Sequence, residues 1–410
     1  MTDLIVIGAG AAGLMAAVTA ARRGANVTVF DPNRRAGRKI RITGKGRCNL
    51  TSDSTPEEFL PFVCTNAKFF KSALYAFPPS AVMEFFTSEG LALKTERGAR
   101  VFPVSDKADD VADLLYNRAV EAGVRFVRDR VTELVISDGA VTGVKTSSST
   151  YNARNVAVCT GGLSYPATGS TGDGYALARS AGHSIVPTRG SLVPWEGEEL
   201  CAQLQGLSLR NVVLSLYQGD RLLFSELGEL LFTHYGVSGP LMLSASTYMR
   251  GAEEHYRLEL DLKPGLSEEK LDERLLRDFA ENANRDFINA LDALLPQKMI
   301  PAAVKLSGIP ERTKVNAVTR QQRLAFRDLL KHFPIRLLRP RGVEEAIVTA
   351  GGVDVKEVAP RTMESKLCRG LYFAGEVLDL DARTGGYNLQ IAWSTGHLLG
   401  NSVPLEDSDG

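Results

Sequence analysis

The sequence predicts an α/β protein: a discontinuous Rossmann-like domain assembled from both ends of the chain, with an antiparallel β insertion and a helical insertion between them. Three observations carry this. A strand-turn-helix-strand pattern opens the chain, a second strand followed by a glycine-opened helix closes it, and alternating apolar runs give way to helical periodicity in the middle. At 410 residues, 44% of them apolar, the chain exceeds what one core usually serves, so two or three domains are expected.

The opening element is "DLIVIGAGAAGLMAAVTAARRGANVTVFD". An apolar β run, Leu4 to Ile7, leads into Gly8-x-Gly10-x-x-Gly13, an Ala-rich helix beginning at Ala11 and Ala12, and a second β run, Val27 to Phe30. Gly8 permits the tight turn, Gly10 lets a pyrophosphate approach the backbone, and Gly13 lets helix and strand pack closely. The helix N-terminus offers unpaired N–H groups to the anion. Asp31, at the tip of the second strand, can accept both hydroxyls of an adenosine ribose. Leu4 to Ala21 is long and apolar, but it lacks a cationic flank and three glycines interrupt it, so it is not read as a signal or membrane helix.

The closing element, "GLYFAGEVLDLDARTGGYNLQIAWSTGHLLG", holds a β run (Leu371 to Ala374), Gly375-Glu376, and Gly385-Gly386 leading into a helix through Tyr387, Asn388 and Leu389. Two distant segments of this kind suit a long ligand touched at both ends, which favours FAD over NAD alone. Glu376 is expected at the ribityl or pyrophosphate region, and the last helix N-terminus at the flavin N1/C2=O edge. "NVAVCTGG" adds a buried parallel strand ending in Thr160, Gly161 and Gly162 at the carboxyl edge of the sheet. Val131 is taken as a further cofactor contact.

Between these ends lies "DPNRRAGRKIRITGKGRCNL", with seven cations, three glycines and one cysteine. Arg38, Lys39 and Arg41 are placed to neutralise a diphosphate, while Thr43, Gly44 and Gly46 let backbone N–H groups approach the flavin ring. Arg47, Cys48 and Asn49 then lie beside it. Cys48 has three readings: a covalent or redox link, a buried structural thiol, or a proton donor to substrate carbon. A nearby Arg47 would lower the thiol pKa. Five cysteines, never spaced C-x-x-C, argue against a disulfide framework or a zinc ribbon and fit a reducing cytosol, so a cytoplasmic protein without a metal is expected.

GAGAAG at 8–13, GRKIRITGKGRCNLT at 37–51, CTGGLSYPATGSTGDGYALARSAGH at 159–183, LLFTHYGVSGP at 230–240, and TAGGVDVKEVAPRTMESK with GLYFAGEVLDLDARTGGYNLQ at 349–390 together resemble the BaiN/YhiN family of FAD-dependent oxidoreductases. The resemblance runs essentially end to end. It implies an FAD domain over 1–189 and 343–410, a β-barrel-like insertion over 190–262 and 333–342, and a helical insertion over 263–332. It also implies a reaction among three: NAD(P)H-driven reduction of C=C bonds in 3-oxo bile-acid steroids, conversion of uridine to dihydrouridine in large-subunit ribosomal RNA, or oxidation of small amines such as aminoacetone.

The residues support the insertions independently. Short alternating runs (Leu207 to Tyr217, Arg221 to Phe224, Leu230 to Thr233, Tyr256 to Leu262) read as antiparallel strands. Helical periodicity follows from Ser267, a candidate N-cap, to Lys331. No second GxGxxG occurs between 150 and 345, so NAD(P)H, as electron donor, must dock on the flavin itself. His234 in the FTHYGVSGP block is a candidate active-site group beside Cys48, with Tyr387 as another candidate donor. His183, His255, His332 and His397 read as structural.

Lys plus Arg equals Asp plus Glu at 48 each, so the whole-chain charge gives no reason to expect nucleic acid or an anionic membrane. Residues 298–341 are different, with eleven cations against two acids. Within them Arg320, Arg323, Arg327 and Lys331 share one helix face, either solvated or available to RNA phosphates. The leading expectation is reduction of a C=C bond conjugated to a carbonyl, in ribosomal RNA uridine or in a steroid enone. The competing ones are an amine oxidase and an FAD-containing RNA-binding protein. No protein partner is inferred.

Overall fold

The computed structural model describes residues 2–249 and 256–405. Two compact units make up the chain: Met1–Ser191 with Gly342–Gly410, and Leu192–Arg341. The two ends of the polypeptide therefore build one unit, and the strands and helices of the middle build the other.

In the first unit a seven-stranded sheet runs in the order Arg125–Val127, Val27–Phe30, Thr2–Ile7, Thr150–Val158, Ala140–Thr146, Val131–Ser137. Its parallel core explains the unbroken apolar runs, because strands covered on both faces have no solvent side to mark with polar residues. Thr150–Val158 divides its pairing. Its first half takes Ala140–Thr146 antiparallel, and its last three residues take Leu371–Phe373 parallel, with Leu371 opposite Val156. The closing segment thus enters the same sheet, one strand away from the opening one.

Two helices lock the ends together. Ala11–Arg22 packs on Tyr387–Ser402 so closely that a Cβ on Gly396 would lie 2.4 Å from the Ala12 carbonyl, and one on Gly400 2.7 Å from that of Ala16. Only alanine against glycine allows this approach. Buried hydrogen bonds then tie the last helix to the residues after the basic loop. The Trp393 indole donates to the Leu50 carbonyl at 3.0 Å, and the Thr51 hydroxyl to Gln390 Oε1 at 2.6 Å. Leu4 to Ala21, long enough by count to span a bilayer, is instead a strand, a turn and most of a 12-residue helix. Among the described residues no helix is long and apolar enough to cross a membrane.

The second unit holds a closed antiparallel barrel ordered Trp195–Gly197, Gly236–Ser238, Arg221–Phe232, Ser208–Gln218, Tyr256–Asp261, Phe333–Pro340. The two short runs expected at 221–224 and 230–233 are one strand. The residues between the two runs continue the strand, with Ser225 and Glu229 exposed on its outer face. Gly228 on the same strand makes room for Leu241 of the helix Pro240–Ser246, 3.0 Å from where its Cβ would stand. Ser267 caps Glu268–Glu281 by accepting the Lys270 N–H at 3.3 Å. That helix buries Leu271, Leu275 and Phe279, and Arg320–Lys331, capped by Thr319, adds Phe326 and Leu330.

Candidate active site

The carboxyl ends of the parallel strands in the first unit gather most of the residues singled out above. Gly8, at φ +104, turns the chain out of the first strand, and a Cβ there would stand 2.5 Å from the Cys159 carbonyl oxygen. At Gly13 a Cβ would be 1.9 Å from the Gly8 carbonyl oxygen. Gly10 is the opposite case. It has an ordinary φ of −85 and no atom within 4 Å of a Cβ, so open space lies before it. The first-turn N–H groups of Ala11, Ala12 and Gly13, which no helix bonds internally, adjoin that space.

Asp31 is held at the tip of the second strand by the N–H of Ala9 on one oxygen (2.7 Å) and of Asn33 on the other (2.8 Å). Each oxygen keeps a lone pair for a ribose hydroxyl. Across the edge, Thr160, Gly161 and Gly162 follow the Thr150–Val158 strand. The Thr160 hydroxyl is buried without a partner, and a Cβ on Gly162 would collide with Thr349 Oγ1 at 2.4 Å. Val131 sits at the start of its own strand, 4% exposed.

Glu376 and Lys39 join the two ends of the chain. Lys39 Nζ donates to Glu376 Oε2 at 2.7 Å and to Ser164 Oγ at 2.5 Å. Glu376 Oε1 also accepts the Ser164 hydroxyl at 2.9 Å and the Thr349 N–H at 2.8 Å. Ser164 and Thr349 were missed in the sequence. Both stand in quoted blocks, but neither residue type advertises that it braces a carboxylate.

Of the three cations expected at a diphosphate, two are engaged by carboxylates. Lys39 is bound to Glu376, and Arg41 to Asp109 (2.6 Å) and Asp113 (2.5 Å). Arg38 reaches Asn33 Oδ1 at 2.8 Å and stays exposed. Carboxylates hold Lys39 and Arg41, whereas Arg38 meets the Asn33 amide; the helix N-terminus adjoins the open space.

The same holds for Arg47. It donates to Glu96 (2.5 Å) and Asp106 (2.6 Å) and lies 4.2 Å over the Phe102 ring, so it does not activate Cys48. Burial pushes the Cys48 thiol up to about 12 against a weak contact with Thr43, and the residue is 0% exposed. The expected lowering of its pKa is overturned: desolvation wins, and the side chain offers no surface to a substrate. Around it the backbone is left-handed at Gly44, Lys45, Gly46 and Cys48, with φ of +57, +58, +85 and +59. Thr43 donates its hydroxyl to the Ile40 carbonyl, and Asn49 Oδ1 is buried without a partner.

At the other end, Gly375 donates its N–H to Thr395 Oγ1 at 3.0 Å, and Gly385 and Gly386 are left-handed, with Gly386 capping the last helix. Tyr387 is 8% exposed and stacks on Phe62, with ring centroids 4.6 Å apart, and edge-on to Phe59. Asn388 grips the preceding loop through the N–H and carbonyl of Ala382, at 3.0 and 2.8 Å. Its side chain thereby orients the turn, and half-buried Leu389 follows it.

His234 belongs to the second unit, exposed in the turn between Arg221–Phe232 and Gly236–Ser238, its ring edge-on to Tyr235. His183 is buried between Ser365 Oγ (2.7 Å) and Glu357 (3.2 Å), His332 pairs with Glu259, and His397 stacks on Phe77; His255 lies outside the described residues. The basic face is also corrected. Arg323 pairs with Asp272, Arg327 with Glu268 and Asp328, and Lys331 with Asp261, all three cations under 20% exposed, and only Arg320 stands exposed. Across Leu192–Arg341 the cations equal the carboxylates in number, so the excess at 298–341 is local to that stretch.

Comparison with known proteins extends over the whole chain. A family model described as the HI0933-like protein Rossmann domain matches residues 2–402. The ribosomal RNA dihydrouridine synthase of Haemophilus influenzae is 32% identical, with 98% of each chain covered. The 3-dehydro-bile acid delta(4,6)-reductase of Clostridium scindens is also 32% identical, over 98% of this chain and 99% of that one. Among solved structures, the 3-ketosteroid-delta4-(5alpha)-dehydrogenase of Rhodococcus jostii shares the fold with a TM-score of 0.54 at 17% identity, covering 98% of this chain and 96% of that one.

Proposed function

Since the chain belongs to the HI0933-like family, we propose that it is an FAD-dependent oxidoreductase that reduces a C=C bond conjugated to a carbonyl. The observation that carries this is the open space before Gly10, flanked by the free N–H groups of the first helix turn and by Asp31. The buried, unpartnered Thr160 hydroxyl and Asn49 carbonyl oxygen are further groups an FAD molecule would satisfy.

In this reading the Gly8–Gly13 turn takes the pyrophosphate and Asp31 the adenosine ribose. The Lys39–Glu376–Ser164 cluster stands by the ribityl chain, and the helix end at Gly386 and Tyr387 lies against the ring. Bound there and reduced, FAD would supply hydride chemistry toward the β-carbon of the substrate, while the chain would deliver a proton to the α-carbon. The chain must stabilise charge on the substrate carbonyl oxygen and place an acid, the latter typically worth ~10²–10⁴-fold. His234 is the candidate acid. Cys48 is assigned to packing, and Tyr387, held between two phenylalanines, to the wall of the ring site. NAD(P)H is the proposed donor, docking at the flavin because no second glycine fingerprint exists.

The uracil C5=C6 bond and a steroid 3-oxo-4-ene both meet the chemical requirement. The basic face argues less for RNA, because three of its four cations are paired internally. The test incubates the reduced protein anaerobically with protein-free large-subunit ribosomal RNA and, separately, with a 3-oxo-4-ene steroid. A two-dalton gain in one product identifies the substrate class, and no gain in either refutes the reductase reading. Bleaching of the flavin band by NADH or NADPH checks the donor.

A further inference from the structure

A second cavity, of about 540 Å³, opens in the first unit away from the cofactor turn. Its walls include Asn155, Glu364, Arg369, Tyr372, Pro404 and Leu405. Asn155 stands four residues before Cys159 on one strand, which at about 3.3 Å per residue puts it roughly 13 Å from the glycine turn. The volume is within the range of small-molecule sites, roughly 300–1,000 Å³.

Two polar groups in it are unspent. Tyr372 is 2% exposed, yet its hydroxyl has no hydrogen-bond partner among the described residues. The ring is buried but the hydroxyl oxygen is not, so it opens onto the cavity, where partial desolvation first and the nearby Glu364 carboxylate second disfavour its ionised form. Arg369 is exposed, and its guanidinium pairs with no carboxylate among the described residues. Glu364, by contrast, is engaged on one oxygen by the Gly370 N–H at 2.9 Å. Arg154, which pairs with Asp3 at 3.1 Å, adds a second cation to the wall.

We propose that this cavity binds a small amphipathic carboxylate, its anionic end on Arg369 and the Tyr372 hydroxyl and its apolar body against Pro404 and Leu405. The guanidinium fork, unpaired among the described residues, matches a carboxylate bidentately, and the phenol supplies a third donor. The Glu364 carboxylate on the same wall repels a dianion, which selects a monoanion over phosphate. No residue of this site belongs to the cofactor turn, so occupancy leaves the flavin spectrum unchanged.

Calorimetric titration of the full-length protein with hexanoate, hexan-1-ol and inorganic phosphate tests this. Hexanoate is expected to bind at one saturable site, with hexan-1-ol and phosphate at least tenfold weaker. Arg369→Gln and Tyr372→Phe should each weaken hexanoate about tenfold, as loss of one hydrogen bond to a charged group implies. Melting temperature and flavin absorbance report that both variants fold. Absence of saturable hexanoate binding overturns the proposal, and so does affinity that both substitutions leave unchanged, or binding that shifts the flavin band.

Discussion

Gly10 and Gly13 look alike in the sequence, but the structure predicts opposite consequences for replacing them with alanine. At Gly10 the new methyl enters open space at an ordinary φ, so the folded protein accommodates it. Losing a favourable N-cap residue costs up to about 1 kcal/mol, and stiffening the unfolded chain returns about 0.4–1, so apoprotein stability should change by less than about 0.5 kcal/mol. FAD affinity should not survive. The methyl stands where a pyrophosphate must approach, and displacing even one charge-assisted N–H bond costs about 1.5–3 kcal/mol, or roughly tenfold to a hundredfold in Kd. At Gly13 the methyl would lie 1.9 Å from the Gly8 carbonyl oxygen and 3.2 Å from Cys159 Cβ. Backbone must move, at a cost of about 3 kcal/mol or more. Urea unfolding of the flavin-free variants gives the first quantity, and FAD titration by fluorescence quenching the second. A Gly10→Ala protein with wild-type FAD affinity would refute the placement of the cofactor. A Gly10→Ala variant destabilised as much as Gly13→Ala would refute the geometry of the turn.

Three further outcomes follow from charges and burial. His397 is pushed down to about 4 by burial, below its unfolded value near 6.5, so the unfolded chain binds the proton first and stability should fall as pH drops from 6.5 to 4, by up to about 3 kcal/mol. Urea midpoints at pH 7 and 4.5 should show that loss, His397→Phe should lack it, and an equal loss in the variant would refute the assignment. Cys48, with its pKa pushed up to about 12, should resist iodoacetamide at pH 8 while half-buried Cys64 reacts; peptide mass spectrometry showing equal labelling would contradict its burial. Arg323→Gln should destabilise the protein by about 2 kcal/mol by stranding Asp272, whereas Arg320→Gln should not. Arg323→Gln should also leave the salt dependence of ribosomal RNA affinity unchanged, and a slope lower by about one would show that this guanidinium meets phosphate after all.

The fold was legible wherever covalent geometry forced a residue type. The GxGxxG turn could be read because a Cβ at Gly8 or Gly13 has no room, and the last helix because Gly386 must be left-handed, its Cβ otherwise 2.5 Å from the Thr51 backbone. Ser267 could be read as a cap because its hydroxyl serves the next turn. In the barrel, periodicity split one strand in two: nothing local reveals that the run from Arg221 to Phe224 continues to Phe232. What sequence showed least well was how its charges are spent. Lys39 and Glu376 are 337 positions apart, Arg47 and Glu96 49, and Arg323 and Asp272 51. Counting cations along the chain treats each as free, whereas folding brings Lys39, Arg47 and Arg323 to carboxylates from other elements.

That difference changes what the basic loop does. Had Arg38, Lys39, Arg41 and Arg47 been free, they would have formed an electrostatic cradle whose grip on a diphosphate weakened with salt. With Lys39, Arg41 and Arg47 paired, these three hold the loop's left-handed backbone against neighbouring helices and strands, and in the proposed placement the anion is met chiefly by uncharged N–H groups at a helix end. Such a site is built from fixed dipoles, with no long side chains to immobilise when the ligand arrives. FAD affinity should therefore depend weakly on ionic strength between 50 mM and 500 mM salt. A loss exceeding tenfold over that range, measured by the same fluorescence titration, would return the loop's cations to direct contact with the phosphates.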